Sequence, residues 1–238
     1  MSFGLSLLVN WTHEAKDEMR AGKKRRTGRW YLPGILYDGI LEPPLTGIRK
    51  KVREYVTESG FFPLIDICCG PGTQLGRLAA SGLGGGSLCL GLDINFKMLR
   101  YAAARRPGIP FICADAASLP FRAGSFKGAI LSFALHEKEP EIRRQILGAA
   151  KTALAPGGRL VLVEFEKPWD SASRRAYAYT SVIERLAGRN HFRLNRDFHR
   201  QGGLRTLLAE NGFIEIFRHD IAAGTCAIVV AAPAIKPK

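Results

Sequence analysis

The sequence predicts an α/β fold in which a seven-stranded, mostly parallel sheet carries helices on both faces. Three observations predict it. From about Phe61 onward, short apolar runs alternate with longer mixed segments, the pattern of β-α units feeding a parallel sheet. The first of these runs ends in the glycine turn Gly70-Pro71-Gly72. The last two runs are joined by residues 220–224, too short for a helical crossover, so they pair antiparallel as a hairpin. A length of 238 residues suits one such domain with additions and is ample for a large core.

Taken in order, residues 1–60 read as a helical or irregular extension covering the active site, broken by Pro33-Gly34 and Pro43-Pro44. The domain proper then occupies 61–238. Its strands are expected at 64–68, 88–94, 111–114, 128–135, 159–165, 213–217 and 226–232. Residues 74–81, 96–106 and 139–154 space their apolar side chains by three and four, so each is a helix packing on the sheet, and Pro156-Gly157-Gly158 terminates the third. Residues 168–203, rich in arginine and aromatics, are too long for a bare connector and read as a lid-like insertion with its own helix over 176–186. A helix over 204–210 follows, closed by Asn211-Gly212.

Composition bounds the partners. A 46% hydrophobic and 24% charged chain is an ordinary globular one, which excludes wholesale disorder. Thirty-five Lys and Arg against 21 Asp and Glu leave +14, a charge drawn to RNA or other polyanions, or to the anionic surface of a membrane. The densest basic stretch, 16–29, holds Arg20, Lys23, Lys24, Arg25 and Arg26, and reads either as a solvated arm or as a contact to nucleic acid or lipid headgroups. No stretch reaches membrane-spanning length. The five cysteines form no C-x-x-C pair and fall mostly in apolar runs, as reduced core thiols do. The apolar run 3–9 precedes the basic cluster, the reverse of a secretory leader, so a cytoplasmic protein is expected.

The chemistry lies at three strand ends. A glycine turn between a buried strand and a helix lets the backbone approach a ligand closely. The spacing Gly70-x-Gly72-x-x-x-Gly76 misses the dinucleotide pattern by one position, and Asp66 just ahead of it would repel a pyrophosphate. An acid there suits a ligand carrying an ammonium group, as S-adenosylmethionine (SAM) does on its methionyl tail. Asp93, closing the second strand, supplies two acceptors for two ribose hydroxyls. Asp115, closing the third, can accept from an adenine amine while the Ala116 N–H bonds a ring nitrogen. Singly, Asp66 and Asp115 could be caps, and Asp93 with Asn95 an Asx turn; jointly those readings need three coincidences in register.

These residues resemble the class I SAM-dependent methyltransferases, in particular the methyltransferase type 11 group with the ubiquinone and menaquinone C-methyltransferases. The resemblance covers roughly 63–233. It is carried by Leu64-Ile65-Asp66-Ile67-Cys68-Cys69-Gly70-Pro71-Gly72-Thr73, Leu92-Asp93, the run from Cys113-Ala114-Asp115-Ala116 to Leu119-Pro120-Phe121, and Leu154-Ala155-Pro156-Gly157-Gly158. It implies a Rossmann-like sheet of order 3-2-1-4-5-7-6 with strand 7 antiparallel. It also implies SAM as cofactor, S-adenosylhomocysteine as product and no metal. Asp66, Gly70 and Gly72 would line the methionyl end, Asp93 the ribose, and Asp115 and Ala116 the adenine, with Cys68, Ile94 and Ser132 completing the cofactor set. Many members carry Gly where this chain has Cys68, and a Cβ there alters how closely the backbone approaches the ligand.

The segment Ser132-Phe133-Ala134-Leu135-His136-Glu137 matches a place where relatives carry histidines facing the reaction centre, so His136 is the acid–base candidate, with a loop-capping role as the alternative. Acceptor contacts are expected from Trp30, Tyr31, Tyr37, Tyr177, Tyr179, His191, Phe192, Arg193 and Phe198, each of which also serves as ordinary packing. The insertion, and the lack of an Asn/Asp-Pro-Pro-aromatic block after the fourth strand, favour a small aromatic or quinone-like acceptor. The alternatives are an RNA or protein methyltransferase, suggested by the +14 charge, and a catalytically silent SAM-binding protein.

Overall fold

The computed structural model describes residues 34–83, 89–175, 177 and 189–234. The basic stretch 16–29, Trp30, Tyr31, Tyr179 and nearly all of the helix expected over 176–186 lie outside these residues. The strands are β1 (Leu64–Ile67), β2 (Cys89–Asp93), β3 (Phe111–Cys113), β4 (Phe126–Ser132), β5 (Leu154–Phe165), β6 (Phe213–Ile221) and β7 (Cys226–Pro233). They form one sheet of order 3-2-1-4-5-7-6, parallel except that β7 runs antiparallel to both β5 and β6. The predicted architecture is therefore the observed one.

The main helices are α1 (Glu42–Glu58), α2 (Thr73–Leu78), α3 (Phe96–Arg105), α4 (Pro140–Ala153), α5 (Arg189–Arg200) and α6 (Gly203–Glu210). Alternation along the strands sends side chains to two cores. Ile65, Ile67, Leu131, Leu160 and Leu162 meet Ile146, Leu147 and Ala150 of α4, Phe198 of α5 and Leu204 and Leu208 of α6. Leu64, Ile130, Val161, Val163 and Ile228 meet Val52 and Val56 of α1 and Leu75 and Leu78 of α2. Burial of large aliphatic side chains at ~1.5–3 kcal/mol each is what holds these layers together.

The extension differs from the expectation in one respect. Pro43 and Pro44 do not break a helix; they occupy the first turn of α1, where a missing N–H costs least. Having no N–H to offer the preceding carbonyls, they follow a widened π-type turn, Tyr37–Leu41. Because Val52 and Val56 are fully buried against the sheet, α1 belongs to the packed core rather than to an appendage. Elsewhere the differences are of length. β6 runs four residues past Phe217, and its turn to β7 is only Ala222–Gly224. α4 ends at Ala153, and Pro156-Gly157-Gly158 lies in an irregular start of β5, where pairing jumps from Phe126↔Leu154 to Gly128↔Arg159.

Candidate functional site

Parallel strands deliver their C-terminal ends to one edge of the sheet, and β1, β2 and β3 are neighbours there. After β1 the chain turns sharply: Cys68, Gly70 and Gly72 all have left-handed φ, at 60°, 53° and 74°. The turn is stitched to β2, since Cys69 N donates to Leu92 O at 3.0 Å and Gly70 N donates to Asp93 Oδ2 at 2.8 Å. The two glycines serve different ends. A Cβ on Gly72 would lie 2.7 Å from the Phe111 ring, so that glycine permits close packing where α2 begins. A Cβ on Gly70 would meet nothing within 4 Å, so its backbone faces open space at the strand ends.

Asp66 is only 3% exposed, inside a strand whose four residues are all buried. Burial pushes its carboxyl up to about 7; Arg49 opposes the shift and Asp93 adds to it. Arg49 is a site neighbour that the motif reading missed, because it comes from the extension. It is buried in α1, bonds Glu42 Oε1 at 2.9 Å, shares a hydrogen bond with Tyr37, and offers its carbonyl to Gln74 Nε2 at 3.2 Å. Tyr37 thus sits on the Asp66 side of the sheet edge. Its neighbour Asp38 clips the extension to the glycine turn, accepting from Arg106 and Tyr101, each at 2.9 Å, and from Thr73 Oγ1 at 2.8 Å.

Asp93 and Asp115 both form the local turns that their positions allow. Asp93 Oδ1 accepts from Asn95 N at 2.8 Å as an Asx turn, while Asn95 itself caps α3. Asp115 Oδ1 accepts from Ala117 N at 2.9 Å. A carboxylate offers about four acceptor positions, so Asp93, with its bonds to Gly70 and Asn95, can still take a ligand's donors. Ala116 is buried beside Asp115, whereas Ile94 is more than half exposed at the end of β2. Ser132 Oγ, at the end of β4, is buried without a hydrogen-bond partner among the described residues. A ligand with an ammonium, a diol and an adenine fits this edge: it has acceptors at three strand ends, open space at Gly70 and an unsatisfied hydroxyl at Ser132.

Beyond β4 lies a second group of charges. Phe133 takes a left-handed φ of 51°, and the loop carries His136 into the interior at 3% exposure. His136 Nδ1 lies 2.7 Å from Oε1 of Glu164, a buried β5 carboxylate that also accepts from the N–H groups of Leu135, His136 and Phe165. Burial would raise Glu164, but His136 and these backbone donors hold it below the usual range. His191 Nε2, on α5, lies 3.0 Å from Glu137 Oε2, and Glu137 also pairs with Lys138. Against its burial, His191, Lys138 and His136 hold the Glu137 carboxyl well below the ordinary value. The His136 and His191 rings meet edge to face at 5.2 Å.

The other residues expected from the insertion divide. Tyr177 packs its ring edge to face against His199 at 5.0 Å, and Phe192 lies beneath Arg196. Arg193 is exposed and reaches Glu139 at 2.6 Å. Phe198 is core, covered by the Arg143 guanidinium at 5.0 Å, which corrects its expected place among acceptor contacts. Glu164 and Arg143 escaped the motif reading because Glu164 follows an apolar strand run that reads as ordinary core and Arg143 looks like one more charge on a helix.

A sequence model of the methyltransferase domain family matches residues 64–158, the span that holds the glycine turn and the three strand-end acids. The chain is 35% identical over 146 residues to the demethylmenaquinone methyltransferase of Renibacterium salmoninarum, covering 59% of each protein. It is 30% identical over 159 residues to the ubiquinone/menaquinone biosynthesis C-methyltransferase UbiE of Pseudomonas putida, covering 57% of this chain and 59% of that one. The alignments thus span about 59% of the length of these curated relatives. Among solved structures, an O-methyltransferase family protein from Burkholderia thailandensis shares the fold at a TM-score of 0.64 with 16% identity, over 84% of this chain and 59% of that one. Residues 64–158 thus match the methyltransferase domain family, and over somewhat more than half of its length the chain is similar to demethylmenaquinone and ubiquinone/menaquinone C-methyltransferases.

Proposed function

We propose that this protein transfers the methyl group of SAM to a small-molecule acceptor with an aromatic or quinone-like ring. The observation that carries the reading is the convergence of Asp66, Asp93 and Asp115 on one sheet edge around the open side of Gly70. SAM supplies a methyl group made electrophilic by its sulfonium. Asp66 pairs with the methionyl ammonium, Cys68, Gly70 and Gly72 shape the turn around that tail, and Ser132 Oγ gains a partner there. Asp93 accepts from the ribose hydroxyls beside Ile94, and Asp115 with the Ala116 N–H holds the adenine. Methyl transfer is an in-line displacement, so alignment and exclusion of water are the main tasks, with His136 taking a proton where the acceptor must lose one.

Tyr37, His136, Tyr177 and His191 form the acceptor side in this reading, and Tyr31, which was also expected there, lies outside the described residues. The extension acts as a cover, supported by the Asp38 clip, and 168–203 as a lid, supported by the contact of His191 with His136. The quinone-type names of the relatives support the acceptor class. Five free thiols suit a reducing cytoplasm, and among the described residues no helix is long and apolar enough to cross a membrane.

Calorimetry with S-adenosylhomocysteine and with NAD tests the cofactor, and mass-spectrometric detection of methylation across a panel of hydroquinones and phenols tests the acceptor. Binding of NAD alone would overturn the reading. An RNA acceptor is the second reading, favoured by the +14 charge. Retention on RNA that persists at physiological salt would favour it, because screening weakens non-specific phosphate contacts steeply.

A further inference from the structure

We propose that β6 is a homodimer interface, at which two copies of this chain pair their β6 strands antiparallel about a twofold axis at His219 and join their sheets into one. The inference is independent of the methyltransferase reading. Among the described residues β6 is an outer strand of the sheet, paired with β7 on one side only, and it is nine residues long. The other outer strand, β3, has three. Proteins blunt free edges by shortness, bulges or charge, because unpaired N–H and C=O groups recruit another strand. The bulge between Glu215 and Phe217 blunts the first half of β6 and leaves residues 217–221 as a regular strand. Apolar side chains gather at this edge as well. Ile214, Ile216 and Phe217 are 55%, 57% and 41% exposed, and the Phe217 ring meets Tyr55 of α1 at 4.7 Å. Alternation, advanced by one residue at the bulge, puts all three on the α1 face, with His219 and Ile221 following them there.

The side chains select both the occupant and its register. A twofold interface is self-complementary, so that when residue i faces j, j also faces i. Residues that face each other across a ladder share one side of the sheet. Within 217–221, an axis at Arg218 would set that guanidinium against its own copy, and an axis at Asp220 would oppose two carboxylates. An axis at Phe217 would run the ladder into the bulge. The axis at His219 alone matches the whole segment: Arg218 faces the second copy's Asp220, Phe217 faces its Ile221, and each pairing occurs twice. Asp220 is half exposed, and its contact with Arg218 of the same chain is long, at 3.5 Å, whereas Glu166 and Glu215 hold that guanidinium in place at 2.7 and 2.6 Å. A chain of +14 repels its copy, but along β6 Glu215 and Asp220 outnumber Arg218, so the repulsion is weaker at this edge. β6 also lies at the far side of the sheet from β1, β2 and β3, so the second copy leaves the strand-end acids uncovered. Because the paired strands run in opposite senses, the two sites open on opposite edges of the joined sheet.

The test uses the full chain. Light scattering during gel filtration should give twice the chain's mass, and the dimer should persist from about 50 to 500 mM salt, because ladder bonds and apolar contacts are little screened. A chain still monomeric at about 100 μM overturns the proposal. Phe217→Lys sets a cation against the second copy's Ile221 at both ends of the ladder and should weaken the dimer about 100-fold. Ile142→Lys, on the exposed side of α4, should leave it unchanged. A dimer that withstands Phe217→Lys is held by another surface, and the assignment falls. His219→Cys reads the register: mild oxidation should link it into a disulfide dimer on a non-reducing gel, since facing residues of paired strands lie within disulfide reach. The wild type, with its five thiols, should not link, and a variant that links no better than the wild type overturns the register. If circular dichroism shows Phe217→Lys unfolded, the wild-type mass and the His219→Cys link decide in its place. A monomer whose 217–221 amides nonetheless resist hydrogen exchange shows that the chain covers its own edge, and it overturns the proposal equally.

Discussion

Cys68 holds a left-handed backbone at φ 60°, which costs a residue with a Cβ ~1 kcal/mol or more, and burial pushes its thiol up to about 12, so it is inert rather than reactive. Cys68→Gly relieves that strain, less the backbone freedom glycine gains when unfolded, so the melting temperature should rise by the equivalent of up to about 1 kcal/mol. A fall would show that the thiol's packing outweighs the strain. Asp66 presents the opposite case, a charge whose place in the fold is expensive. Its pKa is raised from 3.8 to about 7, so folding stability is undiminished below the unfolded value and is lost as pH rises between about 4 and 7. A shift of that size is worth roughly 4 kcal/mol. An ammonium bound beside Asp66 restores its ionised form, so S-adenosylhomocysteine binding near pH 6 should release a proton, seen as a calorimetric enthalpy that varies with the buffer's ionisation heat. Asp66→Asn should abolish that variation and raise stability at pH 8.

At the scale of elements, two buried or half-buried ions fasten segments that short motifs do not connect. Arg143, on α4, donates to the carbonyls of Leu135 at 3.0 Å and Leu194 at 2.9 Å and to Gln201 at 3.2 Å, binding the His136 loop to α5. Arg143→Leu leaves those carbonyls buried without donors and should cost about 3 kcal/mol in urea denaturation. A loss below about 1 kcal/mol would mean that the loop and α5 are held by apolar packing alone. Asp38 plays the same part for the extension, although it is a quarter exposed and correspondingly weaker. Asp38→Ala should cost about 1–2 kcal/mol and accelerate amide exchange over 34–41 while leaving β1 protected. Uniform exchange across both regions would contradict a local clip.

For the whole molecule, a net charge of +14 acts at long range, but it does not define a site. If the acceptor is a small ring, the protein should leave an RNA column between about 50 and 200 mM salt, with a steep slope and no preference among sequences. The same charge raises the local concentration of any anionic acceptor, and that advantage should also fade with ionic strength. The two cores, one on each face of the sheet, hold the strand ends in register irrespective of salt.

Much of this was legible in the residue order, because its causes are local. Apolar runs separated by helical spacing announced seven strands, the shortness of 220–224 forced the terminal hairpin, and glycines that follow a buried strand marked the turn. The acids at 66, 93 and 115 were readable because each closes or neighbours a strand, and parallel strands end on one side. Other features had no local signature. Arg49 reaches the surroundings of Asp66, and Glu164 reaches His136, across many intervening residues; each looks in sequence like one more charge on a helix or one more residue of a strand. Pro43 and Pro44 looked like a break until α1 was found to begin there, its apolar face buried on the sheet. Sequence determines what depends on periodicity and turn chemistry. Only tertiary packing decides which distant carboxylate faces which histidine, because that choice belongs to the layers as they close on each other.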